Sequence, residues 1–142
     1  MATSNAATTY LENKLLAYIF KNDSGSFSSP GDSIYVGLAT AASDAEAGTV
    51  TEAAFGAYAR QQVNAAGWTL TASSTDQQTV TNASNVEFPA STGTTQTITH
   101  AFIADASSSG NILFVGALDA SKQIATGDIF RINAGNLTIE LK

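Results

Sequence analysis

Near its end the chain alternates strictly between polar and apolar side chains, which constrains the fold more than any other feature. Asn136–Leu141 reads NLTIEL, a period of two residues that places one set of side chains on a buried face and the other in water. A helix does not fit this period. Three more apolar runs precede it, with short turn signals between them: Gln96–Asp105, Asn111–Leu118 and Asp128–Asn133. The last third of the chain is therefore predicted to be a β scaffold.

Length and charge limit what such a scaffold can be. With 142 residues, one domain can bury about two-thirds of the surface that its unfolded chain exposes. The absence of cysteine excludes disulfides and thiolate metal sites. A net charge of −6, with six Lys and Arg spread along the chain, argues against binding nucleic acid, whose phosphates require clustered cations. No apolar stretch approaches the roughly 20 residues of a membrane span, and residues 1–9 lack the features of a secretory signal. We therefore expect synthesis in the cytoplasm and no nucleic-acid or membrane partner.

The N-terminal residues predict an arm followed by an amphipathic helix. Residues 1–8 are small and polar and are expected to form a flexible arm, while 9–142 are expected to form a single β-rich domain that begins with a helix at about 10–21. Thr9 and Glu12 have the spacing of a capping box. We expect the apolar stripe of this helix to contact the sheet, a neighbouring subunit or a capsid. The stripe consists of Leu11, Leu15, Tyr18 and Ile19.

The middle of the chain predicts short strands separated by polar loops. Two glycines inside predicted strands, Gly37 and, further along the chain, Gly116, indicate a bulge or a close backbone approach. Ala39–Ala54 is interpreted as a surface loop or a short helix, and Thr71–Ser84 as a loop or a weakly specified hairpin. The predicted strands are Ile34–Leu38, Ala57–Val63, Trp68–Leu70 and Asn85–Phe88; the other predicted loops and turns are Ser24–Ser33 with its Pro30-Gly31-Asp32 turn, Ser91–Gln96, Ser107–Asn111 and Ala120–Lys122.

No catalytic, cofactor-binding or metal-binding residue is predicted. His100 is the only histidine; strand alternation places it with Ile98 and Phe102 on one face, so we interpret it as structural. The sequence contains no nucleophile elbow, phosphate-binding loop or zinc-binding HExxH motif. The oxygen-rich segment Asp105–Asn111 has one carboxylate among serines, which predicts a hairpin turn and not a calcium loop.

The remaining charged residues have simple structural interpretations. Asp44, Glu46 and Glu52 lie in one segment without the aromatic residues that form a sugar platform, so solvated loop charges fit better than a glycosidase pair. Arg60 follows Tyr58 in an uncharged stretch, where a guanidinium can bind a carboxylate or backbone carbonyls. We expect Arg60 to fix a loop or a subunit contact.

Several blocks of the sequence resemble a family of tailed-bacteriophage virion structural proteins, which includes capsid decoration (cement) proteins and tail-fibre-like proteins. The order and spacing of these blocks extend over most of the chain after Ser33. The blocks are IYVGL at 34–38, GAYARQ at 56–61, VEFP at 86–89, TH at 99–100, DA at 105–106, GNILF at 110–114, GAL at 116–118, GD at 127–128 and AGNL at 134–137.

This resemblance implies a mainly β fold, an antiparallel β-sandwich of jelly-roll type, to which the N-terminal amphipathic helix is added. It brings no catalytic residues and no cofactor. It implies a location on the capsid exterior of a virion after synthesis in the host cytoplasm.

The first hypothesis is a decoration protein, most simply a homotrimer, that binds the outer capsid surface and bridges major capsid protein subunits. The alternative is a tail-fibre or baseplate module that binds host surface glycans through loops such as Thr71–Ser84 and Ser91–Gln96. A small hydrolase is the third class. The predicted contact residues are Leu11, Leu15, Tyr18, Ile19 and Arg60.

Overall fold

The structure is a computed structural model that describes residues 6–23, 34–72 and 78–141. Strands are its main elements. The described ranges contain one α-helix, one 3-10 turn and eleven strands, and every strand pairing is antiparallel. The predicted mainly β fold with one N-terminal helix is confirmed. The helix α1 spans Thr9–Lys21 and the 3-10 turn spans Ala65–Gly67; the strands are β1 (Ala6–Ala7), β2 (Tyr35–Asp44), β3 (Thr49–Glu52), β4 (Gln61–Gln62), β5 (Trp68–Ala72), β6 (Gln78–Asn82), β7 (Val86–Glu87), β8 (Gln96–Ala104), β9 (Ile112–Ile124), β10 (Arg131–Ile132) and β11 (Thr138–Leu141).

The strands form one large sheet and two small ones. The six-stranded sheet has the order β1-β9-β8-β2-β3, with β4 also paired to β2; the small sheets are β10-β7 and β11-β6-β5. One apolar core joins all three, since Leu38 of the large sheet packs with Val86 of β7, and Trp68 and Ile139 of the third sheet pack against the same cluster. The arrangement is therefore sandwich-like.

A second, smaller core lies on the opposite face of the large sheet. It contains Phe102 together with Ala39, Ala45 and Val115. Gly37 pairs with Phe102 across β2 and β8, and a Cβ atom built on Gly37 would lie 2.2 Å from the Phe102 ring. The predicted close approach at Gly37 is confirmed, because the ring occupies the space of a side chain.

The N-terminal residues of the described chain are integrated into this sheet. Ala6–Ala7 pairs with β9, and Thr8 is buried. The Thr8 hydroxyl donates to the Ile112 carbonyl at 2.6 Å and accepts the Leu11 amide N–H at 3.4 Å, so Thr8 is the N-cap of α1. The prediction that Thr9 caps the helix is wrong by one residue, because strand pairing fixes Thr8 beside the first turn. Residues 1–5 of the predicted arm lie outside the described ranges.

The interpretation of Ala39–Ala54 as a loop or short helix is wrong. Strand β2 continues through Asp44, a turn follows, and β3 returns along it. Ala39 and Ala45 are completely buried. Small residues are needed here because Phe102 fills the core beside them, so a composition that resembles a loop belongs to a packed strand.

Three other predictions concern strand and turn boundaries in the middle and last third of the chain. The predicted strand Ala57–Val63 is reduced to Gln61–Gln62, since Ala57 has a positive φ of 69°. Thr71–Ser84 contains the hairpin partner strand β6, in agreement with the hairpin alternative. The turn predicted at Ala120–Lys122 is wrong, because the strand β9 runs to Ile124, although its pairing with β8 shifts register between Ala117 and Lys122. The predicted loop Ser24–Ser33 lies outside the described residues.

Candidate interaction site

The helix α1 exposes most of its apolar side chains to solvent. None of its residues is fully buried. Leu11 packs against the main core, whereas Leu15, Leu16, Ile19 and Phe20 are 38%, 54%, 58% and 74% exposed. These four residues are called the α1 face below. An apolar surface of this kind on one helix is a candidate site for contact with another protein.

The α1 face points away from the protein body. Leu11, Lys14 and Ala17 are the half-buried residues between Leu11 and Lys21, and their spacing of three residues places them on one side of the helix. At about 100° per residue, Leu16 and Phe20 lie about 140° and 180° around the helix from Leu11. The body of the protein therefore does not use the apolar stripe beyond its first residue.

Three of the predicted contact residues are exposed on this helix. Leu15 and Ile19 belong to the α1 face, whereas Tyr18, which is 49% exposed, lies about 20° from Leu11 on the side away from Leu15. Leu11 is on the same helix but faces the core. The predicted contact residues omit Leu16 and Phe20, although the sequence contains their signal: both are apolar and widen the stripe of the helix.

Arg60 is not part of this surface but the centre of a separate cluster. Its Nε and Nη2 donate to the two carboxylate oxygens of Glu52 at 2.7 and 2.8 Å. Its Nη1 donates to the carbonyls of Ala106 and Ser109 at 2.9 and 2.8 Å. The guanidinium also lies 5.1 Å from the centroid of the Phe102 ring. With a side chain only 5% exposed, Arg60 connects β3 to the β8–β9 turn within its own chain.

This turn needs the support that Arg60 provides. Ser109 has a φ of 52°, a conformation that costs free energy for any residue with a Cβ atom. Asp105 accepts the backbone and side-chain N–H groups of Asn111 at 2.7 and 2.8 Å. The segment Asp105–Asn111 is therefore a hairpin turn, as predicted. The prediction that Arg60 fixes a loop is confirmed, and its prediction as a subunit contact stays untested.

Tyr58 completes the cluster and sets its electrostatics. The Tyr58 hydroxyl donates to Glu52 at 2.9 Å and accepts the Leu38 amide N–H at 3.0 Å. Burial raises the pKa of Glu52, but hydrogen bonds from Arg60 and Tyr58 and the charge of Arg60 outweigh it, so the pKa falls below its ordinary value. The pKa of Arg60 is raised, chiefly by its hydrogen bonds to Glu52, and that of Tyr58 is raised strongly by burial. At neutral pH, Glu52 and Arg60 are therefore both charged, and the Tyr58 phenol is neutral.

The interpretation of Glu52 as a solvated loop charge is wrong, because Glu52 is the partner of Arg60. No local motif marks this pair, since the two residues are brought together by the turn after β3. Asp44 has a local role and accepts the Ala47 amide N–H at 3.1 Å.

His100 shows no arrangement suited to catalysis. Its Nδ1 lies 2.7 Å from the Thr99 hydroxyl, and burial lowers its pKa. The predicted face is wrong: Ile98 belongs to the main core and Phe102 to the second core, since the pairing register shifts between Ile98 and His100.

Within the described ranges, no group of His, Asp and Glu side chains has a metal-binding arrangement, and no helix has the length and apolar character of a membrane span.

The fold and these two sites define a mainly β protein with an exposed apolar helix face. The sequence profile of the family described as podophage GP4 fiber I protein gp80 matches residues 6–140, and the chain belongs to this family. The protein is therefore a bacteriophage virion structural protein, and the resemblance to such proteins is confirmed. A comparison with curated proteins finds no match.

Proposed function

We propose that the protein is a structural subunit of a podophage fibre and that it acts by binding and not by catalysis. The observation that carries this proposal is the family match, which covers residues 6–140 and names a fibre protein. The match favours the tail-fibre alternative over decoration of the capsid exterior by bridging major capsid protein subunits.

The structure supports a binding role through the separation of its two sites. The Arg60 cluster fixes a turn of the β body with a nearly buried side chain, and the α1 face lies on the one described helix. A rigid body that carries an exposed apolar helix has the parts that a subunit of a larger assembly needs.

The loop Ser91–Gln96 is poorly suited to bind glycans. Ser91 is 2% exposed, the Thr92 amide donates to the Gly56 carbonyl at 3.0 Å, and the Thr126 hydroxyl donates to the Gly93 carbonyl at 2.8 Å. The three exposed aromatic residues of the described chain, Tyr10, Tyr18 and Phe20, all lie on α1. We therefore propose a structural role in the fibre before a role as its glycan-binding tip.

Quantitative mass spectrometry and immunogold labelling of purified virions test the location. A fibre subunit should be present in far fewer copies than the major capsid protein, with gold confined to fibres. Labelling over the whole shell, with a copy number comparable to that of the major capsid protein, would support decoration instead. A hydrolytic activity that is abolished in the His100→Ala variant would contradict the non-catalytic part of the proposal.

A further inference from the structure

We infer that the outer edge of β5 pairs with an extended segment of another virion protein. This inference rests on the proposed function for its setting, because a fibre subunit must be joined to other proteins of the particle. It goes further by naming a second surface, separate from the α1 face, and the conformation of the chain that binds there. Three features of the β5 edge support it: its unpaired backbone groups, its side chains and its charge.

The hydrogen-bond register of the third sheet leaves one side of β5 open. The strand lies at the end of the order β11-β6-β5, and no strand of the described ranges pairs with its other side. The Ala83 amide donates to the Gly67 carbonyl at 2.8 Å, and bonded pairs alternate with non-bonded pairs along an antiparallel ladder. Thr69 and Thr71 therefore bond to β6, whereas the N–H and C=O groups of Leu70 point away from it.

Strand β5 alone among the edge strands of the described chain lacks a feature that prevents further pairing. Natural edge strands are protected by charged side chains, proline, bulges or short length. Here β3 contains Glu52 and β11 contains Glu140, while the part of β9 beyond β1 contains Asp119 and Lys122; β1, β4, β7 and β10 have two residues each. Strand β5 has five uncharged residues without proline and pairs with β6 without a register shift. An edge of this kind accepts an added strand.

The side chains of β5 define the segment that fits beside it. Leu70 is 71% exposed, and Trp68, on the same face of the strand, packs partly against the main core. Thr69 and Thr71 lie on the opposite face and are exposed. A strand added beside β5 would cover Leu70 with an apolar side chain and place polar side chains opposite the two threonines. The occupant is therefore an extended segment in which apolar and polar residues alternate.

Charge selects a different protein over a second copy of this chain. Each copy has a net charge of −6, so two copies that meet side by side along their sheets repel one another. The β5 edge itself contains no charge, and a neutral or basic segment approaches it without this repulsion. The segment that pairs with β5 is therefore neutral or basic.

Proline substitutions at outward-pointing amides test the pairing in assembled particles. Leu70→Pro removes an N–H that β6 does not use, so it blocks an added strand and keeps the sheet. Thr138→Pro is the matched control: the Asn82 amide donates to the Leu137 carbonyl at 3.3 Å, so the Thr138 N–H also points outward, at the opposite edge of the same sheet. Mass spectrometry of virions should find at least about tenfold fewer copies of Leu70→Pro than of wild type. Thr138→Pro should match wild type, and circular dichroism establishes that both variants are folded.

Photo-cross-linking identifies the occupant and leaves the backbone groups intact. The amino acid p-benzoylphenylalanine at position 70 keeps the N–H and an apolar side chain. Irradiation of intact virions should join it to a different virion protein, within a neutral or basic segment of alternating apolar and polar residues. The same amino acid at position 138 should give far fewer cross-links.

Each contrary outcome overturns the inference. Wild-type copy numbers of folded Leu70→Pro, or an equal loss of copies for Thr138→Pro, show that the β5 edge has no special role. If Leu70→Pro does not fold, the cross-link decides: its absence at position 70 refutes the pairing, and cross-links only to copies of this chain refute the choice of partner. Failure of the proposed function is distinguishable, because it appears as labelling of the shell in wild-type virions whatever the position-70 variants do.

Discussion

At the scale of single residues, Arg60 makes more contacts of different kinds than any other charged group in the described chain. It pairs with Glu52, donates to two carbonyls of the β8–β9 turn and lies over the Phe102 ring, which also packs against Gly37. Because lysine is a compact point charge, it cannot make the bidentate contact and the two carbonyl contacts together.

The Arg60→Lys variant should therefore be destabilised although the charge is kept. We expect the free energy of unfolding to fall by about 2–3 kcal/mol. This loss is smaller than the roughly 3–5 kcal/mol that follows when a fully buried ion pair is broken, because Glu52 remains 34% exposed. Urea unfolding measures the change in stability. Arg131→Lys is the matched control: Arg131 pairs with Glu87, but these side chains are 50% and 46% exposed, so the loss should stay below about 1 kcal/mol. Equal losses in the two variants would contradict the role assigned to Arg60.

The Glu52→Gln variant should make the contribution of the pair visible as a pH dependence. The pKa of Glu52 is lowered from its ordinary value of 4.5 in the folded state. Its contribution to stability is therefore fully present above pH 4.5 and is lost as the pH falls through the folded-state pKa. The difference in unfolding free energy between wild type and Glu52→Gln should be largest at neutral pH and should shrink in acid. Glu87→Gln is the control, and a Glu52→Gln difference that grows in acid would refute the assignment.

At the scale of elements, α1 is attached at its first turn and apolar on its far side. Thr8 and Thr9 anchor it to the strands: Thr8 through its hydroxyl, and Thr9 through its amide, which donates to the Glu46 carbonyl at 2.8 Å. The left-handed Asn22 ends the helix with an N–H bond to the Ala17 carbonyl. Since these contacts concentrate at the helix ends, the α1 face is left available to a partner.

Two neighbouring threonines distinguish the observed cap from the predicted one. Thr8→Ala should cost about 1–2 kcal/mol, because it removes the N-cap and leaves the buried Ile112 carbonyl without its side-chain donor. Thr9→Ala should change stability by less than about 0.5 kcal/mol, since the Thr9 side chain is exposed. Thermal unfolding followed by circular dichroism compares the two. If Thr9→Ala loses more stability than Thr8→Ala, Thr9 and not Thr8 is the N-cap of α1.

At the scale of the whole molecule, an acidic body is combined with an apolar helix face. Copies of the chain, each with a net charge of −6, repel one another, and ionic strength screens this repulsion. Exposed apolar residues occur on the body as well as on α1, since Leu70 and Ile129 are 71% and 50% exposed.

The sequence by itself determined the features that depend on local spacing. The period of two predicts the closing strands, the period of 3.6 predicts α1 with Leu15, Tyr18 and Ile19 on its apolar stripe, and an isolated guanidinium at Arg60 predicts a structural contact. These patterns act between residues that are close in sequence, so they can be read without the fold.

Only the tertiary structure decided which partners these residues have. Ala39 and Ala45 become core residues because Phe102 packs beside them, and Glu52 is half-buried where it pairs with Arg60. Likewise, a register shift before His100 moves Ile98 and Phe102 to opposite faces of the sheet. Beyond Leu11, the stripe of α1 is exposed to solvent because pairing of the preceding strand fixes the orientation of the helix. Each outcome depends on a contact between distant segments, and no local period encodes such a contact.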